Sequence, residues 1–565
     1  MPLQPYSLKD TPALIEHLLP VQKLSAESFK EQDARQSKTL TGLGSYWKGR
    51  KPLILNKACI LGSLLPVTDN LLKDLETFEL LMAMDNRSMA VRHGRIKPID
   101  IALRVKGLRT FDLFVTDDEA SLPGLTPFDV KDYPYTSTNS RGDELKKIPK
   151  LVWRKDISEE KKLKIEAHAL PYETYKENVS NAKRPEEIYE VVHNHIWTEI
   201  NHHLGTSARN FPELVEQLGV ARFGHRPKVA DVFCGSGQIP FEAARLGCDV
   251  YASDLNPISC MLTWGAFNIV GASPEKRKEI EKAQTELIEN VQAEIDDLDI
   301  ESDGHGWQAK AYLYCNEVVC PETGWKVPLL SDFVISKDYK VYAKIEPIET
   351  EKRYHIKICI AQSEEEFDQA LTGTVVGSHF THSPDGKTIF RTSINSLRND
   401  SNNNILRQWG KEDFFPKPND VFQERLYCIL WMKPKSQGSS RFDYEFRSVT
   451  EDDLEREQRV IDYVAANLEE WQEKGYVPDM VIEKGDETER LYRERGWTHW
   501  HHLFTPRQLL VNSLINKYCG SLLKFGFTQV LNNNSRLSRW NGRSGIGQTA
   551  SVFDNQALNT LYDFG

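Results

Sequence analysis

The residues best suited to chemistry in this 565-residue chain lie in one short stretch, residues 229–257. Asp231 ends an apolar run, the chain turns through Gly235-Ser236-Gly237, and a second apolar run ends in Asp254. Glycine allows a sharp turn and a close approach of the backbone to a ligand. The helix that follows such a turn directs free N–H groups at that ligand. A carboxylate after the second run can accept hydrogen bonds from both hydroxyls of a ribose. This spacing predicts a site for a nucleoside-containing cofactor.

Two details of the stretch favour one cofactor over others. Nicotinamide enzymes usually carry G-x-G-x-x-G, but the third glycine position is Pro240 here, and no phosphate-binding lysine follows. Asp231 is badly placed against a pyrophosphate and well placed for the amino group of a methionine moiety. The residues therefore favour S-adenosylmethionine. The predicted cofactor-binding residues are those of the loop and the second strand end: Asp231, Phe233, Cys234, Gly235, Ser236, Gly237, Gln238, Asp254, Leu255 and Asn256.

The elements that must position these residues form a strand–helix–strand unit. K-V-A-D-V-F is typical of a strand, Q-I-P-F-E-A-A-R-L-G of a helix that ends at Gly247, and C-D-V-Y-A-S-D of a second strand. Such a unit makes a right-handed crossover between parallel strands. We therefore expect an α/β fold with a Rossmann-like core, a helical N-terminal extension and a mixed α+β insertion domain.

The rest of the chain divides by composition and periodicity into further segments. Apolar periodicity predicts a helix from about Lys51 to Leu65, opened by Pro52. The predicted domains are a helical segment, an irregular connecting segment, the cofactor-binding unit, an insertion domain and a helical segment that returns to the core: 1–83, 84–184, 185–272, 273–450 and 451–565.

Several motifs carry a resemblance to a known family. D-V-F-C-G-S-G-Q and A-S-D-L-N-P resemble motifs I and II of class I methyltransferases, in particular the amino-methylating DNA group. Residues 14–66, F-T-P-R-Q-L-L and F-D-N-Q-A-L-N-T-L-Y-D-F-G resemble a prokaryotic family of adenine-specific DNA methylases. That family has W-W-A-R-R-P-L where this chain has Y-W-K-G-R-K-P-L.

The resemblance implies an incomplete class I methyltransferase core and methyl transfer to the exocyclic amine of adenine in DNA. It also implies DNA as a partner and a restriction–modification or phage-defence setting. Lys51 and Pro52 would then match motif X, whose helix lies beside the methionine end of the cofactor.

The chain departs from the family in its catalytic motif. Members carry [D/N/S]-P-P-[Y/F], which binds the target amine and stacks on the flipped base. No P-P pair occurs in this sequence, and the nearest matches, Asp132-Tyr133-Pro134-Tyr135 and Gln4-Pro5-Tyr6, lack the spacing. No catalytic residue is therefore assigned. A second protein chain or a C-terminal half that supplies the motif, an interrupted gene, and a non-catalytic assembly subunit that binds S-adenosylmethionine and DNA all stay open, as does an RNA methyltransferase.

The zinc ribbon of the family is altered too. Cys315 and Cys320-Pro-Glu-Thr-Gly leave Thr323 where a second knuckle cysteine would stand. Structural zinc prefers four soft ligands in knuckle pairs, so we expect no bound metal.

Composition limits the remaining classes of function. The net charge of −11 argues against a surface coated in nucleic acid, although local basic stripes can still contact phosphates. Arg536, Arg539 and Arg543 form one candidate stripe. No apolar stretch reaches the roughly 20 residues of a membrane-spanning helix, and no secretory signal opens the chain. Nine cysteines without framework spacing suit a reducing compartment, so we expect a cytoplasmic protein.

Overall fold

The computed structural model describes residues 3–33, 40–42, 47, 49–105, 107, 109–116, 136–138, 144–146, 151–188, 194–400, 404–436, 439–552 and 558–565. The chain forms two compact units, one up to Ala272 and the other from Ser273 onward. Both contain helices and strands, so the fold is mixed α/β. No helix within the described residues is long and apolar enough to span a membrane.

The first unit is largely helical. Its helices are α1 (Val21–Gln32), α2 (Leu53–Leu64), α3 (Leu71–Leu81), α4 (Asn86–Arg92), α5 (Pro98–Arg104), α6 (Thr110–Leu113), α7 (Glu159–Ala167), α8 (Tyr175–Asn181), α9 (Asn194–Leu204), α10 (Phe211–Phe223), α11 (Gln238–Leu246) and α12 (Pro257–Gly265), which continues in a π-helical turn, Ala266–Val270. Its strands are β1 (Phe114–Thr116), β2 (Thr136–Thr138), β3 (Glu144–Lys146), β4 (Leu151–Trp153), β5 (Lys228–Asp231) and β6 (Asp249–Ala252).

Helix α2 confirms the helix predicted over residues 51–65. It begins directly after Pro52, and the buried carboxylate of Glu31 accepts hydrogen bonds from the backbone N–H groups of Leu53 and Ile54. These donors have no partner inside the helix, so Glu31 acts as its N-terminal cap from another helix. Helix α2 packs between α1 and α11. It therefore joins the helical N-terminal extension to the helix that follows the glycine loop.

The segment 84–184, which the sequence indicates to be irregular, contains α4 to α8 in its described residues. Short helices of this kind bury too few apolar residues to give a clear period, so the pattern misses them. Their starts are marked instead by capping side chains: Asp85, Ser158 and Thr174 accept hydrogen bonds from the first turns of α4, α7 and α8.

The second unit contains both strands and helices. The strands are β7 (Gln308–Val319), β8 (Lys326–Leu329), β9 (Val334–Ser336), β10 (Val341–Ile348), β11 (Arg353–Ile360), β12 (Val375–Val376), β13 (His379–His382), β14 (Phe390–Ser393), β15 (Gln423–Pro434), β16 (Phe442–Ser448), β17 (Trp540–Asn541), β18 (Gln548–Thr549) and β19 (Asp563–Phe564). The helices are α13 (Pro274–Asp297), α14 (Glu364–Gln369), α15 (Ile394–Arg398), α16 (Glu451–Glu473), α17 (Glu489–Arg495), α18 (Pro506–Tyr518) and α19 (Lys524–Asn533).

Within the described residues, eight strands of this unit form one mixed sheet in the order β16-β15-β7-β8-β11-β10-β9, with β19 also paired to β7. The pair β8–β11 is parallel and the other pairs are antiparallel. Helices α16 and α18 pack on each other through a shared apolar cluster that includes Val460, Val464 and Leu510.

Residues 451–565 lie in this same unit with 273–450, whereas the sequence predicts a helical segment that returns to the first core. The physical reason is direct strand pairing: Asp563 and Phe564 pair with Cys315 and Tyr314 of β7. The rings of Phe564 and Tyr314 also stack, with centroids 5.8 Å apart.

Candidate functional site

The predicted strand–helix–strand unit is present in the first unit. Strands β5 and β6 are parallel, with Asp231 opposite Ala252, and α11 connects them. Because parallel strands end at the same edge of a sheet, Asp231 and the loop after β6 lie side by side at their carboxyl ends. Ligands of α/β proteins bind at such an edge.

The turn between β5 and α11 depends on glycine. Gly235 and Gly237 have φ angles of 51° and 77°, in the left-handed region that other residues avoid. A Cβ at Gly237 would lie 2.7 Å from the hydroxyl oxygen of Thr263, so a side chain has no room there. The loop therefore needs glycine for its shape at both positions and for space at the second.

Asp254 organises this loop from the end of β6. Its Oδ2 accepts a hydrogen bond from the backbone N–H of Gly235, and its Oδ1 accepts one from the backbone N–H of Asn256, each at 2.9 Å. These backbone donors, Asn256 first, lower the pKa of the Asp254 carboxyl, so it is ionised at neutral pH. The side chain of Asn256 caps α12 by accepting a hydrogen bond from the N–H of Ile258.

The rim of the loop is both polar and apolar. Asp231 is half-buried, and its Oδ1 accepts a hydrogen bond from the backbone N–H of Phe233, 3.2 Å away. Phe233 and Leu255 are 79% and 94% exposed. Two large apolar side chains thus project into solvent beside two carboxylates, an arrangement that suits contact with a flat, partly polar group.

Inside the loop, the small side chains are buried. The thiol of Cys234 lies 3.3 Å from the Thr263 hydroxyl, and burial raises the pKa of this thiol, which disfavours a thiolate nucleophile. Ser236 donates a hydrogen bond to the side-chain oxygen of Gln238. Cys234, Ser236 and Gln238 therefore hold the loop in shape.

A segment that precedes α2 contacts this loop. The amide of Gln238 donates a hydrogen bond to the hydroxyl of Thr41 at 2.8 Å, and the carbonyl of Thr41 accepts one from Arg50. The indole nitrogen of Trp47 lies 3.2 Å from the point where a Cβ of Gly235 would stand. The sequence gives Trp47 and Arg50 no role in the cofactor site, because no local pattern shows which distant loop they contact.

The motif X-like residues lie beside this segment. Pro52 is buried directly before α2, and Lys51 is exposed. Leu53 packs against Phe241 of α11 and Ala266. Among the described residues, Lys51 makes no hydrogen bond to the glycine loop. The motif X-like segment is therefore joined to α11 through the packing of α2.

A cavity of about 410 Å³ adjoins the site between β6 and α12. Val250 and Ala252 line it from the strand, and Thr263 and Trp264 line it from α12. Cys234 of the glycine loop also lines the cavity, so the cavity lies next to the loop.

Other predicted sites are less well organised. Cys315 is buried in β7, and Cys320 lies 3.6 Å from the Thr392 hydroxyl, while Thr323 lies 3.3 Å from Nε2 of His382. In the part of the chain that the structure describes, no group of three or more His, Cys, Asp or Glu could hold a metal.

The proposed basic stripe is wrong at Arg536. Its side chain is fully buried and pairs with Glu424. The guanidinium also donates to the backbone carbonyls of His502 and Phe414, which would otherwise lack this buried donor. Arg539 is exposed, and Arg543 pairs with Asp332 at the surface. The near-match Asp132-Tyr133-Pro134-Tyr135 lies outside the described residues.

Comparison with known proteins adds one family. A family described as a protein of unknown function, DUF1156, matches residues 18–81. This match covers α1, α2 and α3. It includes Thr41 and Trp47, which lie against the glycine loop, and Arg50, which donates to the carbonyl of Thr41. No curated protein and no solved structure matches the chain.

Proposed function

We propose that the first unit binds S-adenosylmethionine as the cofactor-binding portion of a DNA adenine-N6 methyltransferase. The observation that carries the proposal is the hydrogen bond that the Gly235 N–H donates to Asp254, at the carboxyl ends of two parallel strands. It brings an ionised carboxylate, a glycine turn and the start of α11 to one edge of a Rossmann-like unit.

The residues at this edge fit the parts of that cofactor. Within the described residues, Gly235 donates a backbone hydrogen bond to one oxygen of Asp254 and Asn256 donates one to the other. Each carboxylate oxygen can accept more than one hydrogen bond, so Asp254 can also accept from two ribose hydroxyls. Oδ2 of Asp231 has no hydrogen-bond partner within the described residues, so it is available for an amino group. Phe233 and Leu255 offer apolar surface for the adenine ring. When bound, S-adenosylmethionine supplies a methyl group on an electrophilic sulfonium.

The sheet of this unit supports the need for further polypeptide. Val229 and Val250 face the helical core, whereas the opposite face is bare. The outward-facing side chains of the two strands are all exposed: Lys228, Ala230, Asp249 and Tyr251. Parallel sheets are stable when both faces are covered. No third strand pairs with β5 or β6 among the described residues. We propose that a second protein chain packs on this sheet and supplies the base-binding motif.

The first test is calorimetric titration of the purified chain with S-adenosylmethionine. Asp254→Ala should weaken binding by roughly 100-fold, because it removes both the ribose acceptor and the support of the loop. Asp249→Ala is the matched control, since Asp249 is an exposed aspartate at the other end of β6. Equal affinity for the two variants, or no binding by the parent chain, would contradict the cofactor site.

A second experiment separates the candidate reactions. The chain is incubated with methyl-labelled cofactor and either DNA or RNA, alone and with the product of an adjacent gene added. Label in DNA only when the second protein is present supports a split enzyme. Cofactor binding without label in any mixture favours the non-catalytic assembly subunit, which the missing [D/N/S]-P-P-[Y/F] motif makes the second candidate. Label in RNA would replace DNA as the substrate.

A further inference from the structure

The second unit contains a cleft that the proposed cofactor chemistry does not use. It has a volume of about 620 Å³, within the usual range of small-molecule sites. Strand β7 forms one wall and the start of helix α18 another, with the α19 end and the β17–β18 turn around them. Arg507, in the first turn of α18, lines this cleft although only 6% of the residue is exposed.

Arg507 has a buried charge that is only partly satisfied. Its Nε and Nη2 donate to one oxygen of Glu457, at 3.1 and 2.8 Å, and the other oxygen of Glu457 accepts a hydrogen bond from Tyr314. The guanidinium lies 3.9 Å from the centre of the Tyr312 ring. Nη1 is buried and has no hydrogen-bond partner. A buried guanidinium N–H without an acceptor costs free energy, and an anionic ligand would remove that cost.

The surroundings of Arg507 add further positive potential. The N-terminus of α18, a helix of 13 residues, opens at Thr505 and Gln508, which line the cleft and cap each other reciprocally. A helix N-terminus attracts anions through its dipole and free N–H groups. Lys310 stands on the opposite wall. The Arg507 guanidinium, the start of α18 and Lys310 therefore all lie around one cavity.

One acidic side chain faces the same cavity. Burial raises the pKa of Glu301, so it takes up a proton more readily and can donate a hydrogen bond to an oxygen of the ligand. Glu457 is already engaged by Arg507 and Tyr314. The charge of Glu457 is balanced by Arg507, which leaves Lys310 and the start of α18 as the positive groups that attract an anion.

The rest of the lining suits a planar heterocycle. Trp540 lines the cleft and is held in place by donation from its indole nitrogen to the carbonyl of Ile335. Three residues with amide side chains also line the cleft: Asn533, Asn534 and Gln548. Aromatic rings stack on bases, and amides form hydrogen bonds with base edges.

We propose that this cleft binds a nucleotide through its phosphate group, with Arg507 as the buried anchor. The phosphate belongs either to a free nucleotide or to a DNA strand. Its oxygens accept from the start of α18 and, once the side chains that cover the buried Nη1 shift, from Nη1 as well. The site lies in a different unit from the proposed cofactor loop, so it stands without that function.

The test uses the full chain and two probes, adenosine monophosphate and a short single-stranded DNA, titrated by calorimetry. Arg507→Lys keeps a positive charge beside Glu457 but loses the Nη1 donor. It should weaken binding of whichever of the two probes the parent chain binds by roughly 10- to 100-fold. Arg493→Lys makes the same change at an exposed arginine outside the cleft and should leave binding unchanged. Thermal unfolding of each variant checks that it is folded.

Lys310→Ala provides a second variant. This exposed lysine has one polar partner among the described residues, Tyr444, and its loss should not affect folding. It should weaken binding by a few-fold through lost attraction. If adenosine monophosphate binds, the ligand of the cleft is a free nucleotide. If the single-stranded DNA binds and adenosine monophosphate does not, the ligand is a phosphate of a DNA strand. The proposal is overturned if neither probe binds, or if folded Arg507→Lys and Lys310→Ala bind as the parent does.

Discussion

The amide of Gln238 donates a hydrogen bond to the hydroxyl of Thr41, 2.8 Å away, and so joins the start of α11 to the DUF1156-matching residues. Both side chains are buried. Gln238 also accepts from Ser236 inside the glycine loop. The loop is therefore held from two sides, by Asp254 at the end of β6 and by the segment before α2.

Thr41→Val should lower the free energy of unfolding by about 1–3 kcal/mol, because the Gln238 amide keeps its buried position but loses its acceptor. Thr41→Ser retains the hydroxyl and should cost less than about 1 kcal/mol. Urea unfolding of the two variants measures the difference. Equal stability of the two variants would mean that the hydroxyl does not hold Gln238.

Gly237→Ala should destabilise the chain by about 1–3 kcal/mol and abolish binding of S-adenosylmethionine, since the left-handed backbone is strained and the new methyl group meets Thr263. Thermal unfolding and cofactor titration measure the two effects. Gly377→Ala is the control, because Gly377 has a φ of 63° but open space around its Cβ position. It should show strain alone, with no loss of cofactor. Unchanged affinity in Gly237→Ala would argue against a cofactor at this loop.

The local parts of the site are predictable from sequence because their causes are local. Turn residues and strand ends give the order β5, α11 and β6, and the period of residues 51–65 gives α2. The contacts of Trp47 and Thr41 with the loop are not predictable, since they join residues almost 200 positions apart. Pairing of β19 with β7 is equally non-local, and for that reason the assignment of 451–565 to the first core differs from the structure. The Rossmann-like methyltransferase assignment itself remains a prediction.

The stability of the first unit should depend on pH through Glu31. Burial raises the pKa of Glu31 to about 7, although the Leu53 and Ile54 N–H donors act in the opposite direction. The folded chain thus retains a proton that the unfolded chain releases above about pH 4.5. This contribution to stability is fully present below that value and is lost as the pH rises through about 7.

Glu31→Gln removes this titration while it keeps an oxygen for α2. Between about pH 5 and about pH 8, the difference in unfolding free energy between the variant and the parent should move in favour of the variant by on the order of 2–3 kcal/mol. Glu279→Gln, at an exposed position of α13, should show no such change. A constant difference for Glu31→Gln across this range would show that the carboxyl does not bind a proton there.

The buried pair of Arg92 and Glu27 should dominate the electrostatic stability of the helical extension. The two form a bidentate contact at 2.6 and 2.7 Å, Arg92 also donates to the carbonyls of Lys183 and Ala83, and Tyr175 donates to Glu27. Arg92→Met would leave the Glu27 carboxylate buried without its countercharge. We expect a loss of about 3–5 kcal/mol in unfolding free energy.

Two comparisons separate this cost from a general loss of an arginine. Arg209→Met breaks an exposed pair with Glu213 and should cost less than about 1 kcal/mol. The double variant Glu27→Leu/Arg92→Met removes both charges, and we expect it to recover part of the lost stability, because no isolated charge stays buried. Urea unfolding measures all four chains. An Arg92→Met variant that loses no more stability than Arg209→Met would show that the pair is not buried in solution.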